Sequence, residues 1–244
     1  MFSSFFYVCL DAIANQAPRL RYMSGGQTSV PLTVIAPTGP SGSAAAHHSD
    51  NPHGMLMGLP GIKIAFPSSA ADFKGLLIES IREPNPVVFF ADLMLLGKKG
   101  DVPEGAYSIE FGKADVKREG TDVTVVAIGS TVPQALEVAD QLAETGVSVE
   151  VIDPRTLVPF DWDAVAKSVS KTGRLVAVDP NRETCGAASE IITQAVERCW
   201  SQLKAQPQRV TWPNVPMPYS PPLEKAVVSD LDDIRRAIEL TLKS

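Results

Sequence analysis

The chain has 244 residues, of which 44% are hydrophobic and 20% are charged, and its net charge is −6 at pH 7. This composition is typical of a globular protein with one large or two moderate hydrophobic cores. Residues 1–99 have a net charge of +1 and residues 100–244 a net charge of −7. Nucleic-acid binding requires a basic face, so the acidic second half argues against that class of partner. The acidic second half could bind a basic partner domain, or its charge could simply keep the surface soluble.

The sequence also argues against a membrane protein and a secreted protein. No run of residues approaches the roughly 18 apolar residues of a membrane span. The apolar stretch 1–10 has no basic region and no small-residue cleavage site, unlike a signal peptide. Three widely spaced cysteines, Cys9, Cys185 and Cys199, predict free thiols rather than a disulfide or a metal site. We therefore expect a cytoplasmic protein or, alternatively, one in the mitochondrial matrix.

The first half of the chain mixes helical and strand patterns. In residues 4–16 the apolar side chains follow the spacing of a helix buried on one face, with Phe5, Val8, Cys9, Ala12 and Ile13 on that face. Strands are predicted at 31–36, 63–66 and 87–90. Between the last two strands, Ser68 and Ser69 are suited to cap a helix that ends at Ile81. Residues 97–107 are rich in Gly, Pro and charge and predict a linker.

The second half alternates strands and helices more regularly. Strands are predicted at 122–128, 148–152, 174–179 and 209–212, and helices at 133–144, 162–170, 187–200 and 231–242. Strands that alternate with helices of about 10–15 residues indicate βαβ units and a parallel sheet with helices on both faces. We therefore predict an α/β fold with a first domain at 1–99, a linker at 100–111 and a second domain at 112–244.

Two of the three histidines, His47 and His48, are adjacent in a loop of small residues, and the third, His53, follows closely. Imidazole exchanges protons near neutral pH, so these side chains are candidates for acid/base chemistry or for binding a substrate anion. The alternative is a solvated loop with two spare imidazoles. The chain has no glycine-rich nucleotide loop and no metal-ligand cluster, which argues against nucleotide and zinc chemistry.

Short blocks of sequence carry a resemblance to a known family. They are, in order, DAI (11–13), RYMSGG (21–26), HS (48–49), LPGIK (59–63), KGLL (74–77), NPVVF (85–89), VIDPRTL (151–157), KTGRL (171–175) and VPMPY (215–219). With this order and spacing, the chain resembles the beta subunit of the thiamin-diphosphate-dependent 2-oxo acid dehydrogenase E1 component, of the pyruvate, branched-chain or acetoin type. The resemblance implies a truncated pyrimidine-binding domain followed by a transketolase C-terminal-type domain with a mostly parallel sheet.

The resemblance implies oxidative decarboxylation of a 2-oxo acid on thiamin diphosphate and acyl transfer to lipoamide. The cofactor and its Mg²⁺ would be held mainly by an E1 alpha subunit. The other partners would be the E2 lipoyl acyltransferase and a second copy of this chain, in a dimer. Two alternatives stay open, a non-oxidative transketolase-like enzyme part and a non-catalytic or truncated interaction subunit. The second arises because family members begin with a segment that carries a glutamate for the cofactor aminopyrimidine, and we expect this chain to start after it.

The resemblance also indicates catalytic and cofactor-binding residues. His48 would line the substrate side of the cofactor and take part in acyl transfer. His47 is the second candidate, because relatives have glutamine there and often also at position 50, where Asp50 could favour the charged form of either imidazole. Met1 and Phe5 would contact the aminopyrimidine ring. As a core residue of an amphipathic helix, Phe5 would need no cofactor.

A structural potassium ion is implied by the same resemblance, since some members bind one through carbonyl oxygens after a helix. The matching residues in this chain are Leu32, Ser80, Ile81, Glu83 and Asn85. A helix end leaves unpaired carbonyl groups that attract a cation. The alternative is a plain capped helix end interrupted by Pro84. Arg155 follows a predicted strand, where doubly wound sheets place ligands, but we expect it to be structural or interfacial.

Overall fold

A computed structural model describes residues 2–40 and 42–243 of the chain. Its secondary structure follows the predicted alternation of strands and helices. The strands are β1 (Thr33–Thr38), β2 (Lys63–Ala65), β3 (Val87–Asp92), β4 (Asp115–Arg118), β5 (Val123–Ala127), β6 (Val149–Asp153), β7 (Thr156–Val158), β8 (Leu175–Arg182) and β9 (Gln208–Trp212). The α-helices are α1 (Ala17–Met23), α2 (His53–Met57), α3 (Ala70–Arg82), α4 (Thr131–Ala143), α5 (Trp162–Thr172), α6 (Ala187–Cys199), α7 (Pro221–Val227) and α8 (Leu231–Leu242). Short 3₁₀-helices lie at Ser3–Cys9, Ala46–His48 and Trp200–Gln202, and a π-helix at Asp11–Gln16.

The strands form two sheets. The first has the order β1-β3-β2-β7, and the second has the order β4-β6-β5-β8-β9. Pairing is parallel except for β7 on β2 and β4 on β6. The inner strands β3, β5 and β6 are buried at every residue, as expected for parallel strands covered on both faces. The predicted α/β class with a mostly parallel sheet is therefore confirmed.

The amino-terminal helical segment differs from the prediction. It is helical as expected, and Ile13 is buried as predicted, but the rest of the predicted buried face is wrong, because Val8 is 84% exposed and Cys9 and Ala12 are also exposed. The buried apolar side chains are Phe6 and Ile13. The prediction assumed 3.6 residues per turn, whereas this segment winds first as a 3₁₀-helix and then as a π-helix, so different side chains face the core.

The two sheets pack together through a shared hydrophobic cluster. Phe66 and Phe90 from the first sheet belong to the same buried cluster as Ile128 and Ile152 from the second. Strand β7 follows β6 closely but adds to the edge of the first sheet through Thr156–Ala65 and Val158–Ile64 pairing. This packing brings the loop between β1 and α2 against the carboxyl end of β8. Within the described residues, no helix has the length and apolar character needed to cross a bilayer.

Candidate active site

The His48 side chain lies beside two phenylalanine rings of the amino-terminal segment. Its imidazole is half-buried, with its ring centre 4.8 Å from that of Phe2 in an edge-on arrangement and 5.7 Å from that of Phe5. The predicted catalytic histidine and the predicted cofactor-binding Phe5 are therefore neighbours. Met1, the other predicted cofactor-binding residue, lies outside the described residues.

His47 points away from this pair. Its side chain is exposed, and its carbonyl oxygen accepts a hydrogen bond of 2.7 Å from the Ser4 hydroxyl. The backbone around His47 therefore attaches the loop to the amino-terminal segment, while its imidazole faces solvent.

The Asp50 carboxylate binds two groups other than the histidines. It accepts a hydrogen bond of 2.8 Å from the Tyr7 hydroxyl and forms an ion pair with the Arg182 guanidinium. Burial, and then the hydrogen bond to Asp50, raise the pKa of Tyr7 to about 12, so the hydroxyl remains a donor at neutral pH. Asp50 therefore connects the amino-terminal segment to β8 through Tyr7 and Arg182, instead of acting on His47 or His48 as expected.

His53 forms a buried pair that the sequence did not predict. Its Nε2 lies 2.8 Å from Asp179 Oδ1, both side chains are fully buried, and the imidazole packs against Phe66 and Phe90. The other oxygen of Asp179 accepts a hydrogen bond of 3.0 Å from the Ala188 backbone in the first turn of α6. The sequence did contain one signal for this pair, since Asp179 follows an otherwise apolar strand. A carboxylate buried in that way needs a partner.

All five predicted potassium-site residues lie where α3 ends near the start of β1. The carbonyl oxygens of Leu32 and Ser80 accept hydrogen bonds of 2.8 Å from the Val87 backbone and the Thr33 hydroxyl, respectively. Glu83 and Asn85 follow the helix, where the Glu83 carboxylate binds both Asn85 and the Lys63 ammonium, the latter at 2.6 Å.

The Lys63 ammonium already supplies a positive charge at this helix end. Burial opposes ionisation of Glu83, but the hydrogen bonds from Lys63 and Asn85 lower its pKa overall. The side chain of Ile81 is exposed and has no ligand atom, so this residue could offer an ion only its backbone carbonyl oxygen. Among the described residues, no group of three His, Cys, Asp or Glu side chains is arranged to hold a metal ion.

A second polar cluster lies between α3 and the second sheet. Arg155 forms ion pairs of 2.9 Å with Asp72 and 2.6 Å with Asp115, and Lys117 binds the same two carboxylates at 2.8 and 2.7 Å. The third carboxylate, Asp153, is fully buried, and burial raises its pKa to about 6. Arg155 thus lies at a junction of structural elements.

Comparison with known proteins shows which protein family has this arrangement of domains. Residues 1–99 match the pyrimidine binding domain of transketolase, and residues 112–234 match the transketolase C-terminal domain. The chain is 43% identical over 234 residues to the beta subunit of acetoin:2,6-dichlorophenolindophenol oxidoreductase from Bacillus subtilis, which covers 96% of this chain and 68% of that one. It is also 40% identical over 220 residues to the beta subunit of the pyruvate dehydrogenase E1 component from Bacillus subtilis, with coverage of 90% and 68%.

The chain belongs to the 2-oxo acid dehydrogenase E1 beta-subunit family. Another member, the acetoin:2,6-dichlorophenolindophenol oxidoreductase beta subunit of Cupriavidus necator, is 42% identical over 243 residues and covers 100% of this chain and 72% of its own. A solved structure described as a split-gene transketolase, an inactive beta4 tetramer, has a TM-score of 0.77 at 22% identity, covering 99% of this chain and 74% of that one. It shows the shared fold. The chain is thus an enzyme component, and it belongs to a family that depends on thiamin diphosphate.

Proposed function

We propose that this E1 beta-family chain supplies His48 to oxidative decarboxylation of a 2-oxo acid and to transfer of the acyl group to a lipoyl domain. The observation that carries the proposal is the half-buried His48 imidazole, held against Phe2 and Phe5 in a chain 40–43% identical to E1-type beta subunits. A protonated imidazole can bind a carboxylate through its positive charge and can later donate a proton, so one side chain serves both steps.

The residues around His48 fit one wall of a thiamin diphosphate site. Phe2 and Phe5 present half-buried aromatic rings next to the imidazole, as a flat heteroaromatic ring requires. When bound, thiamin diphosphate supplies the nucleophilic carbon and the electron sink for decarboxylation. We place the diphosphate and its Mg²⁺ mainly on an alpha subunit, so the site would be completed by a second chain.

His48 would act twice in this scheme. Its protonated imidazole would first bind the carboxylate of the 2-oxo acid. It would then protonate the lipoyl sulfur that is released when the disulfide of the lipoyl group opens and the other sulfur takes the acyl group. A single acid/base group of this kind contributes about 10²–10⁴-fold in rate.

The partners in this proposal are an E1 alpha subunit, the E2 lipoyl acyltransferase and a second copy of the chain. Val8, Tyr22 and Met23 are largely exposed on the amino-terminal segment, and Ile35 is exposed on the edge strand β1. Exposed apolar side chains on these elements favour a protein interface that includes them. Such a complex would work in a bacterial cytoplasm or a mitochondrial matrix.

The proposal also includes a structural potassium ion at the end of α3. Its ligands would be oxygen atoms of Leu32, Ser80, Ile81, Glu83 and Asn85. The support is that the Leu32 carbonyl oxygen accepts one hydrogen bond, from the Val87 backbone, and keeps a second lone pair for a cation.

Turnover by an assembled complex tests the function. The chain is co-expressed with an alpha subunit. CO₂ release is measured for pyruvate and branched-chain 2-oxo acids and acetaldehyde release for acetoin, which has no carboxylate to lose, with acylation of a lipoyl domain as a second readout. The proposal expects CO₂ release and lipoyl acylation, both lost without thiamin diphosphate. A complex that assembles and binds the cofactor but releases neither CO₂ nor acetaldehyde would indicate an interaction subunit, whereas acetaldehyde without CO₂ would replace the 2-oxo acid by acetoin as the substrate. Turnover of sugar phosphates instead would indicate a transketolase-like enzyme part.

A further inference from the structure

We infer that Asp50 and Arg182 are positioning residues, which hold the His48 loop and the amino-terminal segment in one arrangement. The inference deepens the proposed function, because it concerns the histidine to which that function is assigned. It stands on the contacts of the loop with β8 and with the amino-terminal segment.

The loop is attached to the carboxyl end of β8 at three places. Asp50 forms an ion pair with Arg182, the Asn51 side chain donates to the Pro180 carbonyl oxygen, and His53 binds Asp179 at 2.8 Å. The partners run in opposite directions along the two segments, so residues 50–53 lie antiparallel to the strand end. The end of β8 therefore serves as a rigid support for a loop that has no sheet pairing of its own.

The same loop is attached to the segment that carries Phe2 and Phe5. The Ser3 hydroxyl donates to the Asp50 carbonyl oxygen at 2.8 Å, and the Ser4 hydroxyl donates to the His47 carbonyl oxygen at 2.7 Å. The Tyr7 hydroxyl donates to the Asp50 carboxylate at 2.8 Å. These bonds flank His48 on both sides in the sequence, so the distance between the imidazole and the two phenylalanine rings depends on them.

Asp50 is the point at which both sets of contacts meet. One carboxylate oxygen binds Tyr7 and the other binds Arg182, whose Nε also donates to the Val215 carbonyl oxygen at 3.2 Å. The Asp50 side chain is only 12% exposed, so it needs the Arg182 charge, and removing either partner leaves a poorly solvated charge on the other. A different ion pair, between Arg118 and the 72% exposed Asp140, carries no such requirement and provides a matched control.

Histidine NMR spectra of the full chain test the inference without any partner. The chain has only three histidines, so the ring Cε1–Hε1 correlation spectrum contains three signals. Phe2 and Phe5 should displace the His48 signal from that of exposed His47, and the buried His53 signal reports the fold. In Arg182→Met and in Asp50→Ala, we expect the His48 signal to move at least halfway toward the His47 position while the His53 signal persists. Arg118→Met should move none of them.

An unchanged His48 signal in both variants, with the His53 signal intact, would overturn the inference. If Arg182→Met or Asp50→Ala loses the His53 signal and thus the fold, Asp50→Asn decides, because it keeps the side-chain shape and removes only the charge. The expected result for Asp50→Asn is a displaced His48 signal, and an unmoved one would again overturn the inference.

Turnover of the assembled complex gives a second readout. Misplacement of a reacting group by about 1 Å can cost about 10²-fold in rate. We therefore expect Arg182→Met to lower kcat for lipoyl acylation by about 10²-fold with little change in KM, and Arg182→Lys to recover part of the loss. Unchanged kcat in Arg182→Met would contradict the positioning role. Absence of turnover in the unmodified complex would contradict the proposed function, whereas the NMR result would still decide the positioning role.

Discussion

Replacement of Asp153 by asparagine should stabilise the protein above pH 6 and change its stability little near pH 4. The carboxyl group is fully buried at the end of β6, where it accepts hydrogen bonds from the Ser68 hydroxyl and, at 2.9 Å, from the Arg155 backbone. Its distance to the Lys117 ammonium is 3.8 Å, and that ammonium is closer to two other carboxylates. The charge of Asp153 is therefore incompletely neutralised.

The expected size of the effect follows from the shift in the pKa of Asp153 on folding. Burial, as the largest influence, raises the pKa from 3.8 in the unfolded reference to about 6. At 1.36 kcal/mol per pH unit, ionising the buried group costs about 3 kcal/mol. The folded state holds the proton more tightly, so stability falls as the pH rises through this interval and is constant above it. Asparagine carries no charge and avoids this cost, which is a net value because the attraction of the carboxylate to Lys117 is already included in it.

Thermal or urea denaturation between pH 4 and pH 8 measures the difference between the variant and the unmodified chain. For a chain of this size, 1 kcal/mol corresponds to about 2–4 °C in Tm. The exposed Asp101→Asn is the matched control and should show no pH-dependent difference. A variant that is destabilised at pH 8, or one whose stability difference is the same at every pH, would refute this account of Asp153.

Three further predictions concern the site, a helix cap and the proposed ion. In the assembled complex, His48→Ala should slow lipoyl acylation by about 10²–10⁴-fold while thiamin diphosphate affinity changes little; unchanged acylation, or an equal loss in His47→Ala, would remove the assignment. The Ser69 side chain accepts a hydrogen bond of 3.0 Å from the Asp72 backbone at the start of α3, so Ser69→Ala should cost about 1 kcal/mol in urea denaturation, and no loss would show that the cap is unimportant. Tm should be higher in KCl than in NaCl of the same concentration, and equal values would count against the potassium site.

The sequence predicted the long elements well because their signals are local. The final helix matches its predicted range of 231–242, and the cap at Ser69 has the predicted role. Strand β7 was missed because three residues are too few for a periodic signal. The wrong face of the amino-terminal segment has a different cause, since a sequence pattern does not reveal a change of helical winding.

The site was less predictable than the fold. The adjacent histidines and the family resemblance indicated His48, and the structure places its imidazole beside the Phe5 ring. The contacts that hold the loop were not predicted, because they join residues far apart in the sequence. His53 and Asp179 are separated by 126 positions, and Asp50 and Arg182 by 132. Pairings of this kind depend on how the two sheets pack.

Calorimetric titration of thiamin diphosphate with Mg²⁺ tests the central claim, that this chain is the beta half of a site completed by an alpha subunit. The titration is carried out on the chain alone, on the alpha subunit alone and on the assembled complex. We expect tight binding only to the complex, with weak or no binding to the isolated chain. Micromolar binding by this chain alone, or binding to the complex no tighter than to the alpha subunit alone, would contradict the claim.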